Sequence, residues 1–202
     1  MKNAIGKYVK NYSIAPSMAN FHFERSYLIG SQKQEAISAF YGLEPKEERL
    51  DRTDIRILGA LSKNARTSTH AIAQNLGLSF NTVKERIAGM EKKGILQSYR
   101  IFMDISKVGR VYYKALITAK NFDGEAEKKM LAFCAREQSI TYLIECFGEW
   151  DLEIGAEPAD EEEMRGMMRR FVNEFSDYID DYELVHVYRE YKMDYFPMGR
   201  RC

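Results

Sequence analysis

Cysteine is scarce and odd in number: Cys134, Cys146 and Cys202, no two at metal-ligand spacing. Such a set argues against a disulfide framework and for free thiols in a reducing cytosol. Histidine is as sparse, with His22, His70 and His186 far apart, so neither a zinc site nor a cofactor is expected. No apolar run approaches the roughly 20 residues that span a bilayer. Lys2, Lys7 and Lys10 are not followed by an apolar stretch with a cleavage site, so a signal peptide is not expected either. A glycine-rich phosphate loop and a Ser/His/Asp set are missing too, and Glu161-Glu-Glu163 is placed to complement a helix start. These gaps point to a cytoplasmic chain without enzymatic machinery.

Net charge is also missing, with 30 basic and 30 acidic residues, but the balance is unevenly distributed. From Asp51 to Ile105 nine Lys/Arg face five Asp/Glu, whereas from Val111 to Cys202 twelve face twenty. One part suits a polyanion and the other repels it.

What is present falls into three segments: 1–49, 50–105 and 106–202. The first is an N-terminal arm. Ala19 to Tyr27 alternates and predicts a strand, and Glu35 to Tyr41 predicts a short helix ended by Gly42 and Pro45. Tyr8-Val-Lys-Asn-Tyr12 echoes Tyr178-Ile-Asp-Asp-Tyr182, leaving chance and a duplicated domain end both open.

The second segment predicts three helices. Asp51 can cap a helix carrying Ile55, Leu58 and Leu61. Asn64 to Thr67 is a turn, and Ser68 or Thr69 can cap a helix over Ala71 to Leu76 that Gly77 ends. Ser79 caps a third helix reaching about Lys93. Ile95 to Asp104 has β character, which beside such helices reads as the hairpin of a wing.

The third segment has a βαββαβ rhythm: strands over Val111 to Lys120, Thr141 to Phe147, Asp151 to Glu157 and Tyr182 to Tyr191, with helices over Gly124 to Glu137 and Glu161 to Phe175. The expected class is therefore α+β: an N-terminal winged helix-turn-helix domain followed by a ferredoxin-like domain, with an extra N-terminal strand/helix arm.

The run Ile72-Ala-Gln-Asn-Leu-Gly-Leu-Ser-Phe-Asn-Thr-Val-Lys-Glu-Arg-Ile87 has helix-turn-helix spacing. Ala73 lets two helices approach, Gly77 turns the chain, Leu78 plugs the corner, and Val83 and Ile87 pack the third helix. Asn81, Lys84, Glu85 and Ala88 then share an outward stripe flanked by Thr82 and Arg86. In a major groove, Asn can pair with adenine and Lys or Arg with guanine, while Glu85 either accepts from cytosine N4 or forms an internal pair with Lys84 or Arg86. Ser79 and Thr82 can hold phosphate with the helix-end amides. Arg66, Arg56 and Arg100 are further phosphate candidates, and the implied partner is double-stranded DNA.

Leu50-Asp-Arg-Thr-Asp-Ile-Arg-Ile-Leu58, Asn64-Ala-Arg66, the helix-turn-helix run and Gly94-Ile-Leu-Gln-Ser-Tyr99 together resemble the Lrp/AsnC family of regulators. The βαββαβ part, with Gly148-Glu-Trp-Asp151 after its second strand, resembles that family's effector domain. The similarity runs from about Leu50 to Tyr195, and the first fifty residues suggest a tandem or extended variant. The resemblance implies a homodimer, or a larger even-numbered oligomer, formed through the sheets. It implies an amino-acid effector near the glycine turn, making Gly148, Glu149 and Asp151 candidate effector residues, with Trp150 as pocket wall or core indole. For Gly148 a tight turn, and for Asp151 a turn-capping carboxylate, are competing roles. Two alternatives stand beside the regulator: a sirohaem-decarboxylase-like enzyme of the same fold, and an effector-sensing scaffold that no longer binds DNA.

Overall fold

The computed structural model describes residues 13–30, 37–42, 48–191 and 196. They divide into two compact units. One joins residues 1–44 to 104–189; the other joins 45–103 to 190–202.

The second unit is helical: α1 (Arg52–Lys63), α2 (Thr69–Leu76) and α3 (Phe80–Lys92). Each start is chemically specified. The Asp51 carboxylate accepts from the amides of Thr53 (2.8 Å) and Asp54 (2.9 Å), while Asp54 accepts from the Asp51 amide, a reciprocal capping box. Ser68 caps α2 and Ser79 caps α3. Gly77 ends α2 at φ +67°, in the left-handed region that a side chain would strain. Ile57, Leu58, Leu61, Ile72, Ala73, Val83 and Met90 are buried together, with Leu78, Ile87, Ile95, Leu96 and Phe196 packed against them.

The expected wing hairpin does not form: residues 95–104 contain no strand. The amides of Ile95 and Leu96 both return to the Met90 carbonyl (2.9 and 3.2 Å), and both side chains pack on the helices. Ile95 and Leu96 are thus taken up by the helical core, whereas Tyr99, Ile101 and Phe102 stay exposed.

The first unit is built on one six-stranded sheet of β1 (Ser17–His22), β2 (Ala39–Tyr41), β3 (Tyr113–Ala119), β4 (Ile140–Cys146), β5 (Leu152–Ala156) and β6 (Ile179–His186). The order is β2-β1-β4-β5-β3-β6, and every pairing is antiparallel. With α4 (Gly124–Arg136) and α5 (Glu161–Phe175), the last four strands make the expected ferredoxin-like βαββαβ arrangement. Register puts Phe21, Leu143, Ile154 and Ala115 in one row across the sheet. That row packs with Met130 and Phe133 of α4 and Met164, Met167, Met168, Phe171 and Phe175 of α5. On α5 the buried residues recur at helical spacing, while Glu161, Glu162 and Glu163 occupy the first turn, where the dipole favours negative charge.

The N-terminal arm is where the structure departs most from the three-segment reading. It is part of the α+β unit, and the helical unit is inserted between β2 and β3. Ala39 to Tyr41 is strand where a helix was expected; residues 35 and 36 lie outside the described residues, as do 8–12, one half of the echo. Pairing with β1 decides the conformation: the Phe40 ring sits 4.9 Å from Phe21, and Tyr41 sits 5.4 Å from His22. Beyond β1, Phe23 donates its amide to the Thr141 carbonyl (2.9 Å), and Ser26–Leu28 forms a 3₁₀ turn. Arg25 makes a two-pronged ion pair with Glu157 (2.8 Å for both bonds), and Tyr27 donates to the same carboxylate. Glu157 is buried, so these partners replace its lost water.

Candidate nucleic-acid interface

The first helical turn of α3 is held by Ser79. Its hydroxyl accepts from the Thr82 amide (3.0 Å) and bonds the Thr82 hydroxyl (2.8 Å). Val83 and Met90 are buried beneath the helix, leaving Asn81, Lys84, Glu85 and Ala88 exposed along its outer side. This is the stripe the sequence predicts. It combines amide, ammonium and carboxylate groups at the N-terminal end of a helix, the end that carries unsatisfied amides and partial positive charge. Thr82 is half-buried and shares the cap, and Arg66 is exposed in the turn after α1, its amide bonded to Asn64 (3.0 Å). Arg100 is half-buried.

Arg86 is placed differently from its neighbours. Its guanidinium reaches back to α1, bonding Asp51 and, at 3.2 Å, Asp54. It thereby ties the third helix to the cap of the first. The Asp54 amide, and after it the Arg86 guanidinium, hold the Asp51 carboxyl below the usual carboxylate range. A carboxylate held low in the folded chain contributes stability that is complete above its unfolded pKa and is lost as pH falls through the folded one. Asparagine caps helices without titrating. The stability advantage of the wild type over Asp51→Asn is therefore expected to hold from neutral pH to about pH 5 and to shrink progressively below it. Urea unfolding followed by helical circular dichroism measures it, and an advantage independent of pH would contradict the assignment.

In the α+β unit, Gly148, Glu149 and Asp151 fall in the single turn joining β4 to β5. Asp151 is committed to that turn: its carboxylate accepts from the Ala119 amide (2.8 Å), and its backbone bonds both Cys146 (2.7 Å) and Ile117 (2.9 Å). Glu149 is exposed, and Trp150 is half-buried. Gly148 has φ +148°, and a Cβ there would lie 2.6 Å from the Ile14 carbonyl oxygen. The Phe147 amide donates to the Pro16 carbonyl (2.9 Å), so the chain leading into β1 lies on this turn. The turn thus carries all three proposed effector residues, one of its faces being covered by the arm.

Sequence reasoning missed the Arg25–Tyr27–Glu157 cluster, whose members are far apart in the chain and follow no local pattern. It also missed Phe80, exposed at the start of α3 against His70. That one was legible: Phe80 follows the cap directly, where no core position is required.

Residues 50–91 match the family model of the AsnC-type helix-turn-helix domain. The HTH-type transcriptional regulator LrpA of Pyrococcus horikoshii is 38% identical over 79 residues, 39% of this chain and 53% of that protein. An uncharacterized HTH-type transcriptional regulator of Pyrococcus furiosus is 30% identical over 119 residues, 58% of this chain and 79% of that protein. Among solved structures, the transcriptional regulator NMB0573 from Neisseria meningitidis, in complex with L-Met, superposes with a TM-score of 0.65 at 19% identity, covering 76% of this chain and all of that one. With the helix-turn-helix match and these relatives, the chain belongs to the Lrp/AsnC family of DNA-binding transcription regulators.

Proposed function

We propose that this regulator lays α3 in the major groove of duplex DNA, as a homodimer or larger even-numbered oligomer in the cytoplasm, and that an amino acid or similar metabolite tunes it at the Gly148 turn. Asn81, Lys84 and Glu85 face base edges. Ser79, Thr82, Arg66 and Arg100 face the phosphate backbone, and Arg86 flanks the interface while holding α3 to α1. The observation that carries this reading is the stripe itself: Asn81, Lys84, Glu85 and Ala88 stand exposed on a helix whose opposite side is buried. Paired subunits present two such helices, so half-site spacing selects the operator.

Self-association is assigned to the sheet face turned away from α4 and α5. There Leu116, Tyr142 and Ile144 are half-buried, and Lys114 pairs with Glu153 (2.8 Å). The effector assignment draws support from the L-Met complex of the Neisseria protein and from Gly148, Glu149 and Asp151 sharing one turn. Sirohaem decarboxylation has weaker support. His186, the only histidine of the βαββαβ part, is stacked on Tyr113 at 4.6 Å and serves packing.

The test is a mobility shift on the duplex upstream of the protein's own coding sequence, repeated across salt concentrations and with candidate amino acids. Saturable binding that outcompetes random duplex and falls linearly with the logarithm of salt is expected. Binding no tighter than to random duplex would sink the operator reading.

A further inference from the structure

Phe80 is out of character with its surroundings. It is the first residue of α3 and is 41% exposed, a large apolar side chain beside the stripe of Asn81, Lys84, Glu85 and Ala88. Capping does not account for it, because Ser79 supplies the cap. Nor does the helical core: neither Phe80 nor His70 is among the residues packed there. The Phe80 ring instead leans on the imidazole of His70, near the start of α2, with centroids 5.0 Å apart and planes tilted by 48°. One side of the ring is thus fixed by a neighbour and the rest faces outward.

Helical geometry puts this ring where the core side of α3 meets the polar stripe. At about 100° per residue, Phe80 lies about 20° from Ile87, which packs on the core, and about 40° on the other side from Lys84. Whatever surface Asn81 and Lys84 meet, Phe80 meets at its edge. Phosphate offers nothing to a phenyl ring. The base edges of a major groove are donors and acceptors, with one apolar exception, the C5-methyl group of thymine.

We infer that Phe80 is a specificity-determining residue that packs on a thymine methyl in each half-site, with His70 fixing the ring's orientation. The inference rests on the DNA-binding reading above and adds a base preference that the polar stripe does not supply. A hydrogen-bonding side chain here would read a donor or acceptor; the phenyl ring reads a methyl group and is blind to hydrogen-bond pattern. 5-Methylcytosine carries the same methyl at the same groove position, so a phenyl reader tolerates it where unmodified cytosine is rejected.

The experiment uses the full chain. Duplexes are selected from a random library with the wild type, and each thymine of the recovered half-site is then replaced singly by deoxyuracil. That change keeps pairing and hydrogen bonding and removes only the methyl. One position per half-site is expected to lose roughly fourfold in affinity, the scale of exposing a single methyl group to water. In Phe80→Ala the thymine and uracil duplexes should bind equally at that position, whereas Phe80→Leu should keep part of the preference. Matched melting curves for wild type and variants are expected, because the ring lies outside the helical core. If Phe80→Ala shows the same uracil penalties as the wild type at every position, the assignment is overturned while DNA binding stands. If the wild type recovers no preferred duplex, the DNA-binding reading fails and takes this one with it.

Discussion

Replacing Phe23 by alanine is expected to destabilise the α+β unit by about 3–5 kcal/mol, the cost of emptying an aromatic site in a packed core. Phe23 precedes the helix-turn-helix in the chain, yet it is 3% exposed and buried in the same cluster as Phe171 and Phe175. Its amide is bonded to Thr141 on β4. Were the leading segment an appendage, the substitution would act like a surface change. Ile29→Ala supplies that comparison, since Ile29 is 80% exposed and should shift stability by no more than about 0.5 kcal/mol. Trp150 is the chain's single tryptophan and lies in the β4–β5 turn, so its fluorescence during urea unfolding reports on this unit. A loss below about 1 kcal/mol for Phe23→Ala would mean that the arm is peripheral to the cooperative core.

The second large effect concerns DNA. Asn81→Ala and Lys84→Ala are each expected to weaken binding to the selected duplex by about 1–3 kcal/mol, the discrimination carried by a good base contact. Both side chains are exposed, so melting temperatures should not move. The two readouts of Lys84→Ala separate its possible contacts. A base contact relaxes selectivity at one position, whereas a phosphate contact weakens all duplexes alike and lowers the salt slope by about one. In the proposed docking Lys84 faces a base edge, so the first pattern is expected. Operator affinity unchanged in both variants would remove α3 from the interface.

Local chemistry made the helical unit readable from sequence. Asp51, Ser68 and Ser79 each announce a helix start, Gly77 announces a stop, and the spacing of Ile72, Val83 and Ile87 fixes which sides are buried. The helices of the α+β unit were legible for the same reason, with Met164, Met167, Met168, Phe171 and Phe175 on one side of α5. What escaped was non-local. Ala39-Phe-Tyr41 carries no signal of its own that overrides the helix-like residues before it; its strand conformation comes from β1, which in turn depends on β4. Ile95 and Leu96 open a stretch rich in apolar and β-prone residues, but a helical core stood within reach. Arg86 illustrates the same limit within the stripe. Its position on α3 suggests an outward base, and only the fold shows Asp51 and Asp54 within its grasp.

The insertion of the helical unit between β2 and β3 sets an order of events during synthesis. The ribosome releases β1 and β2 before the helices, and these two can pair, but the ladder that joins β1 to the rest of the sheet waits for β4, which emerges after the entire helix-turn-helix has been made. Short-range contacts let the helices close early, whereas the strand pairing must bridge a long loop and forms late. In that interval Ala19, Phe21 and Phe23 are nascent apolar residues without their core, and a chaperone that recognises short hydrophobic stretches would find its docking site there, ahead of helices that have already met one another.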